Sequence, residues 1–264
     1  MLCIGIDVGA TKVAAGVVDT TGRGVLERRR VSTAREGREV LRDCVRLAEE
    51  LHRPEVERLG VAVCELVRPD GTIASAATID WTALDIGAAF AHLAPTVVES
   101  DVRAAAVAEA RLGAGRDRES MLFVNVGSGI SHTLVVQARP LAGARGNAII
   151  TGAPPVEAWS SGLALAGSVG ASTEEVLADP ASADLVAEAA ERLGQTLAVL
   201  VNALDPAVVV IGGGLGSVDR YRAMVVEATR PLIYAEETRG LEIVPAALGP
   251  DAALVGATLI AAEA

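Results

Sequence analysis

Residues 4–18 of the chain run as an apolar strand, a tight turn and a second apolar strand, with Asp7, Gly9, Thr11 and Lys12 gathered at the turn. Residues 121–138 repeat the plan around Gly127-Ser128-Gly129. Such a hairpin suits an anion. A glycine free to take φ > 0 lets backbone N–H groups come close, a threonine adds a hydroxyl donor, and a carboxylate at a strand end can hold a hydrated metal ion. Either hairpin alone also reads as a plain turn between buried strands. Two of them, one opening each half, predict a duplicated α/β architecture with a cleft between the halves, because ligands of open α/β folds sit where strand ends face a crevice.

The remaining pattern fits that plan. Stretches 2–8, 13–18 and 24–31 read as a three-strand antiparallel meander with turns at Gly9-Ala10 and Thr21-Gly22. A helix is expected over 36–51, where Val40, Leu41, Cys44, Val45, Ala48 and Leu51 share a face. Strand 58–63, helix 83–92, strand 95–99 and a helix from Val102 to Leu112 complete the first half. In the second, strands 121–126 and 131–138 precede an irregular stretch and a long helix over 183–203. Strand 207–211 then runs into Gly212-Gly213-Gly214, followed by helix 218–230, strand 241–245 and a closing helix 251–263. The expected domains are 1–112 and 113–250, with the closing segment 251–264 packing back on the first.

Aromatic residues are only 2% of a chain that is 51% hydrophobic, so a core has to be packed from Ala, Val, Leu and Ile. The length of 264 residues suffices for one large or two modest domains. No charge-free apolar run reaches the roughly 20 residues that span a bilayer, and the first residues lack the basic segment and cleavage site of a secretory signal, so a soluble cytoplasmic protein is expected. Cys3, Cys44 and Cys64 are far apart and no Cys/His pair has metal-ligand spacing, which argues against a disulfide scaffold and a structural zinc site. The net charge of −11, with Arg28-Arg29-Arg30 as a basic run readable as a solvated strand end, argues against nucleic acid. The Ala, Gly and Val excess and the scarcity of lysine read as compositional bias of the genome.

Four segments in order resemble the ROK family of sugar kinases, within the superfamily that joins actin, hexokinase and the heat-shock chaperone ATPases. They are Ile6 through Lys12, Glu99-Ser100-Asp101-Val102-Arg103-Ala104-Ala105-Ala106, Val126 through Ile130, and Asp205-Pro206 through Gly214. Glu157-Ala158-Trp159-Ser160-Ser161-Gly162 is similar to a further family segment, and Gly249-Pro250-Asp251 through Ala257 to the start of its C-terminal helix. The resemblance implies two actin-like (ribonuclease H-like) α/β domains with a nucleotide cleft between them. It also implies a cytoplasmic, homodimeric kinase that uses ATP and Mg²⁺ on a small polyol acceptor: a hexose, an amino sugar or a cyclitol.

By the same resemblance Asp101 is the general base, Asp7 the carboxylate on the Mg²⁺ side, acting through water, and Gly9, Thr11, Lys12, Gly127, Ser128 and Gly129 the phosphate contacts. Gly212, Gly213 and Gly214 would face adenosine, while Ser100, Asp101, Thr78, Glu157 and His132 would face the acceptor. Plain alternatives stand beside these roles: a helix N-cap for Asp101, a strand-end turn former for Asp7, and tight strand–helix packing for the triple glycine.

The departures from the family pattern lie on the acceptor side. The usual Gly-Glu-Ile-Gly-His segment and its zinc-binding cysteine cluster are replaced by Ala148-Ile149-Ile150-Thr151-Gly152-Ala153, putting Ile150 in place of the carboxylate and Ala153 in place of the histidine. No zinc is therefore expected. Ser100 replaces an asparagine, and Cys64-Glu65 replaces Pro-Gly. A hydroxyl buried without a partner costs about 1–3 kcal/mol, so glucose is not the default acceptor. His132 can fill the gap or be a surface histidine. Glu65 can reach the acceptor or be a solvated loop carboxylate. The competing reading is a non-catalytic ligand sensor. A DNA-binding repressor is disfavoured because the chain opens on its first strand with no winged helix ahead of it, and an actin-like polymer is disfavoured by length.

Overall fold

The computed structural model describes residues 1–21, 24–151 and 155–264. Gly22 of the expected Thr21-Gly22 turn, and Gly152 and Ala153 of the substituted segment, lie outside the described residues. Contacts divide the chain into two units. One comprises Met1–Leu112, Ala142–Ala148 and Asp251–Ala264, and the other Gly113–Leu141 and Ile149–Pro250.

In the first unit the N-terminal stretches form β1 (Leu2–Val8), β2 (Lys12–Asp19) and β3 (Gly24–Ser32). They continue through α1 (Gly37–Leu51), β4 (Val56–Val63), α2 (Ile86–Ala89), β5 (Thr96–Ser100) and α3 (Asp101–Leu112). The sheet order is β3-β2-β1-β4-β5, antiparallel across the meander and parallel from β1 through β4 to β5. Helix α1 forms because Val40, Cys44, Leu47, Ala48 and Leu51 fall on one stripe against the sheet. Its opposite face carries Arg46 between Asp43 at 3.1 Å and Glu50 at 2.7 Å, one helical turn away on either side.

The second unit holds β6 (Ser120–Val126), β7 (Ile130–Val136), β8 (Arg139–Pro140), α4 (Glu157–Ser160), α5 (Gly162–Val169), α6 (Thr173–Ala178), α7 (Ala183–Leu204), β9 (Val208–Gly212), α8 (Asp219–Thr229) and β10 (Ile243–Pro245). Its sheet runs β10-β9-β6-β7-β8, with β6 pairing antiparallel to β7 and parallel to β9. Writing β6 for β1, and so on along the chain, turns one strand order into the other, so the duplication legible in the hairpins extends to whole sheets.

The last helix, α9 (Ala252–Ala261), lies against β1, β4 and α3 of the first unit. Backbone meets backbone there. An ideal Cβ on Gly5 would stand 2.4 Å from the Leu254 carbonyl oxygen, one on Gly60 2.2 Å from that of Ala257, and one on Gly256 1.7 Å from that of Ala104. At this contact the small-residue excess has a packing function and is not only compositional bias.

Several expected elements change. The helix expected over 83–92 shrinks to the single turn α2, because Ala83 has φ 60, outside the helical region. The stretch left irregular contains α4, α5 and α6, short helices whose few apolar positions give little periodicity. The strand expected to run to 138 stops at Val136. Gln137 and Ala138 take φ 50 and 58 and form a two-residue turn into β8. Segment 142–148 belongs with the first unit, although the sequence reading leaves it in the second domain. Arg103, 1% exposed, donates to the Gly146 carbonyl at 2.9 Å and to that of Val67 at 2.6 Å. Gly146, at φ 79, comes so close that a Cβ would stand 2.0 Å from the Val67 oxygen.

Candidate functional site

Each unit carries its own cluster of expected site residues. In the first, the β1–β2 turn is closed by the Gly9 N–H on the Lys12 carbonyl at 3.0 Å and pinned from behind by Thr33, which donates from Oγ1 to the Gly9 oxygen at 2.7 Å and from its N–H to the Thr11 oxygen at 3.1 Å. Gly9 does not use the left-handed region expected of it; a Cβ there would find its nearest atom at 3.4 Å. Thr11 and Lys12 are exposed beside it.

Asp7, next to the end of β1, is half-buried, and loss of solvent pushes its carboxyl up to about 7. The charges of Asp101 and Asp251 add to the rise, and Lys12 opposes it. Asp251 is itself paired with Arg28, so that part of the arginine run is not simply solvated. Asp101 opens α3 and is pushed up to about 6, chiefly by burial and further by Glu65, against the Val102 N–H it accepts at 2.7 Å and the nearby Ser100 and Arg103. A capping aspartate takes an N–H two or three residues ahead. Asp101 takes that of the next residue. Ser100 is buried, and its Oγ has no partner in hydrogen-bond geometry among the described residues.

Glu65 fits neither expectation made for it. It is 3% exposed, so it is no solvated loop carboxylate, and its oxygens are engaged by its own chain. Ser75 donates to it from Oγ, Ala77 from its N–H at 3.0 Å, Thr78 at 2.7 Å and Ile79 at 2.8 Å. Exposed Thr78 is thereby held beside Cys64, whose thiol is pushed up to about 12 by burial and by the charges of Asp101 and Glu65. The signal for this anchor is a carboxylate directly after an apolar strand, followed within fifteen residues by a run of small and hydroxyl residues.

In the second unit the Gly127 N–H donates to the Gly129 carbonyl at 2.9 Å, so that expected phosphate donor is engaged within the turn. The first residues of α5 close on the same turn. Gly162 donates to the Gly127 oxygen at 2.8 Å and Leu163 to that of Ser128 at 3.3 Å. Ser128 and Gly129 are exposed. Glu157 lies against this hairpin, accepting the Ile130 N–H at 3.0 Å, with its Oε2 2.9 Å from where a Gly129 Cβ would be. His132 on β7 is 8% exposed and is not a surface histidine. Burial lowers its proton affinity, which keeps the ring neutral, and its Nδ1 has no partner among the described residues. Ile150, in the carboxylate's position, is 49% exposed.

The glycines separate into two kinds. Gly213, after β9, has φ 84 and a Cβ there would stand 2.4 Å from the Val126 oxygen, so the fold itself requires it. A Cβ on Gly127 would meet nothing nearer than 3.9 Å, and one on Gly214 nothing within 4 Å. Folding leaves these two positions open, as a site for a close-fitting ligand would. Gly213→Ala is therefore expected to lower stability by about 2 kcal/mol or more. Gly127→Ala and Gly214→Ala are expected to leave Tm within about 2 °C of wild type while raising the nucleotide KM roughly tenfold. Thermal melts paired with nucleotide titrations check both.

Among the described residues no group of three or more His, Cys, Asp or Glu is placed to cage a metal ion. Asp7 nonetheless offers hard oxygen donors in a setting where burial, and after it the neighbouring carboxylates, disfavours its own charge, a setting that a cation relieves. That fits Mg²⁺ held through one carboxylate, water and substrate phosphates rather than by a protein cage. No helix among the described residues is long and apolar enough to cross a membrane.

The sequence profile of the ROK family matches residues 3–158 and 156–264, and the chain belongs to that family. It is 31% identical to the bifunctional enzyme NanE/NanK of Brucella melitensis, covering 98% of this chain but 54% of that one, so it spans about half the length of that relative. It is 28% identical to an N-acetylmannosamine kinase of Yersinia pseudotuberculosis, over 88% of this chain and 90% of the relative. The crystal structure of a ROK family glucokinase from Streptomyces griseus, in complex with glucose and AMPPNP, superposes with a TM-score of 0.89 at 26% identity over 100% of both chains. The α/β fold with two five-stranded sheets is thus the actin-like fold of this family.

Proposed function

We propose that the chain is an ATP-dependent kinase that transfers the γ-phosphoryl group to a hydroxyl of a small sugar-like acceptor, a hexose, an amino sugar or a cyclitol. The observation that carries this reading is Asp101. It stands at the head of α3 with its proton affinity raised to about 6, so it is ionised at neutral pH yet basic enough to take a hydroxyl proton. Transfer of a phosphoryl group asks mainly for positioning, charge neutralisation and such a base. Gly9, Thr11 and Lys12 on one hairpin, and Ser128 and Gly129 on the other, contact the phosphates. Gly212, Gly213 and Gly214 leave bare backbone for the adenosine. Mg²⁺, when bound on the Asp7 side, neutralises phosphate charge. Ser100, Thr78 and His132 offer hydroxyls and a neutral imidazole to the acceptor, while Glu157 acts first as a brace of the second hairpin.

Support comes from the kinase names of the relatives and from the nucleotide analogue bound to the Streptomyces griseus glucokinase. The net charge of −11 argues against nucleic acid as a partner, and a cytoplasmic homodimer completes the proposal. A non-catalytic sensor is the second reading, favoured by Ile150 in the place of the family's carboxylate. The test is ADP release over a panel of glucose and its deoxy, amino and carbocyclic analogues. The proposed acceptor presents few hydroxyls toward Ile150, so an analogue is expected to exceed glucose in kcat/KM. If no acceptor stimulates ADP release, the sensor reading stands instead.

A further inference from the structure

Residues 75–79 form a loop whose backbone has few partners of its own. The N–H groups of Ala77, Thr78 and Ile79 all end on one side chain, the Glu65 carboxylate, which also takes the Ser75 hydroxyl. Ser75 Oγ in turn receives the Leu66 N–H at 2.9 Å, so the loop is tied to the strand end at two adjacent residues. A buried carboxylate is an expensive way to hold a loop unless its donors are fixed, and here four converge on two oxygens. The carboxylate is set by β4, whose next residue Cys64 donates its N–H to the Val8 oxygen at the end of β1 at 3.2 Å. The anchor is therefore rigid with respect to the strand ends that carry Asp7 and precede Asp101. Only exposed residues project from the loop at its middle: Ala76, Ala77 and Thr78.

We propose that Glu65 is a positioning residue for the acceptor: it fixes the 75–79 loop so that Thr78 is presented beside Cys64 without needing to be ordered on binding. This rests on the kinase reading above. It also assigns a purpose to the replacement of Pro-Gly by Cys64-Glu65. A turn held by backbone conformation gives way to one held by a charged side chain, and the loop it positions carries Thr78. Fixing the loop acts on acceptor affinity. It does not touch the nucleotide, and Ser75→Ala, which keeps the Glu65 charge near Asp101, separates the fixing of the loop from any change in the base itself.

The test is steady-state kinetics of Glu65→Gln and of the milder Ser75→Ala, with the best acceptor and with ATP varied separately, alongside amide hydrogen exchange of the loop. Hydrogen bonds to a buried charge, once lost, are expected to raise the acceptor KM roughly 10- to 100-fold in Glu65→Gln and about 3- to 10-fold in Ser75→Ala. The ATP KM should stay within about threefold of wild type in both variants, and so should kcat at saturating acceptor in Ser75→Ala, which keeps the Glu65 charge. Exchange should accelerate at Ala77, Thr78 and Ile79 and remain unchanged in β1 and β4. An acceptor KM within twofold of wild type in both variants overturns the proposal, as does a parallel rise of both KM values with faster exchange throughout the unit. Wild-type protein that shows no acceptor-dependent turnover instead overturns the kinase reading, and with it the acceptor role of the loop.

Discussion

Asp101→Asn is expected to lower turnover of the best acceptor by roughly 100- to 10,000-fold while nucleotide affinity stays within about twofold, because only the proton-accepting group is lost. The side chain keeps its size, and its remaining oxygen can still accept the Val102 N–H that the aspartate takes at 2.7 Å, so the start of α3 is preserved. The wild-type pH profile should carry the same signature. With the carboxyl pushed up to about 6, kcat/KM should fall below that pH in proportion to the protonated fraction, well above the range in which an ordinary aspartate titrates. Pre-steady-state measurement of ADP formation in wild type and variant separates the chemical step from binding. Near-full turnover in the variant would leave Asp101 a helix-terminal residue and nothing more.

Asp7→Asn is expected to make the metal-free protein more stable and the enzyme inactive. Asp7 gains proton affinity on folding, from 3.8 to about 7. A carboxyl shifted in that direction stabilises the native state only while protonated. Its contribution is full below about pH 4 and is lost as pH rises through 7. The rise corresponds to about 4 kcal/mol at most. Because the side chain is only half-buried, asparagine is expected to gain roughly 1–3 kcal/mol at pH 8. The gain should vanish toward pH 4, where wild type is protonated too. Urea unfolding at pH 4 and pH 8, in EDTA, gives both numbers. Such a trade of stability for a charged site is what a functional carboxylate shows and a turn former does not.

How much of this was legible in the sequence depends on the range of the interaction. The meander, α1 and the second hairpin follow from periods of two and 3.6 residues, which are local. The strand end at Val136 and the shortness of α2 carry no such pattern, because they are set by single residues in positive φ, Gln137, Ala138 and Ala83, none of which is a glycine or asparagine that would announce it. The proximity of Asp7 and Asp101 could be expected from the resemblance alone, since it requires β1, β4 and β5 to be parallel neighbours. The role of Glu65 is not legible in the sequence because its four donors lie ten to fourteen residues away across a loop with no pattern. The contact of Arg103 with Gly146 is hidden for the same reason, at a separation of 43 residues.

The central claim, that this chain carries a phosphoryl group from ATP to an acceptor hydroxyl by way of Asp101, is tested most directly by following the γ-phosphoryl group itself. Phosphorus NMR of ATP, Mg²⁺ and the best acceptor from the analogue panel, with wild type and with Asp101→Asn at equal concentration, distinguishes transfer to the acceptor from hydrolysis. A phosphomonoester resonance that grows at the rate of ADP formation in wild type, and roughly 100-fold or more slowly in the variant, is the predicted result. Inorganic phosphate alone, or a phosphomonoester formed equally fast by both proteins, would contradict it.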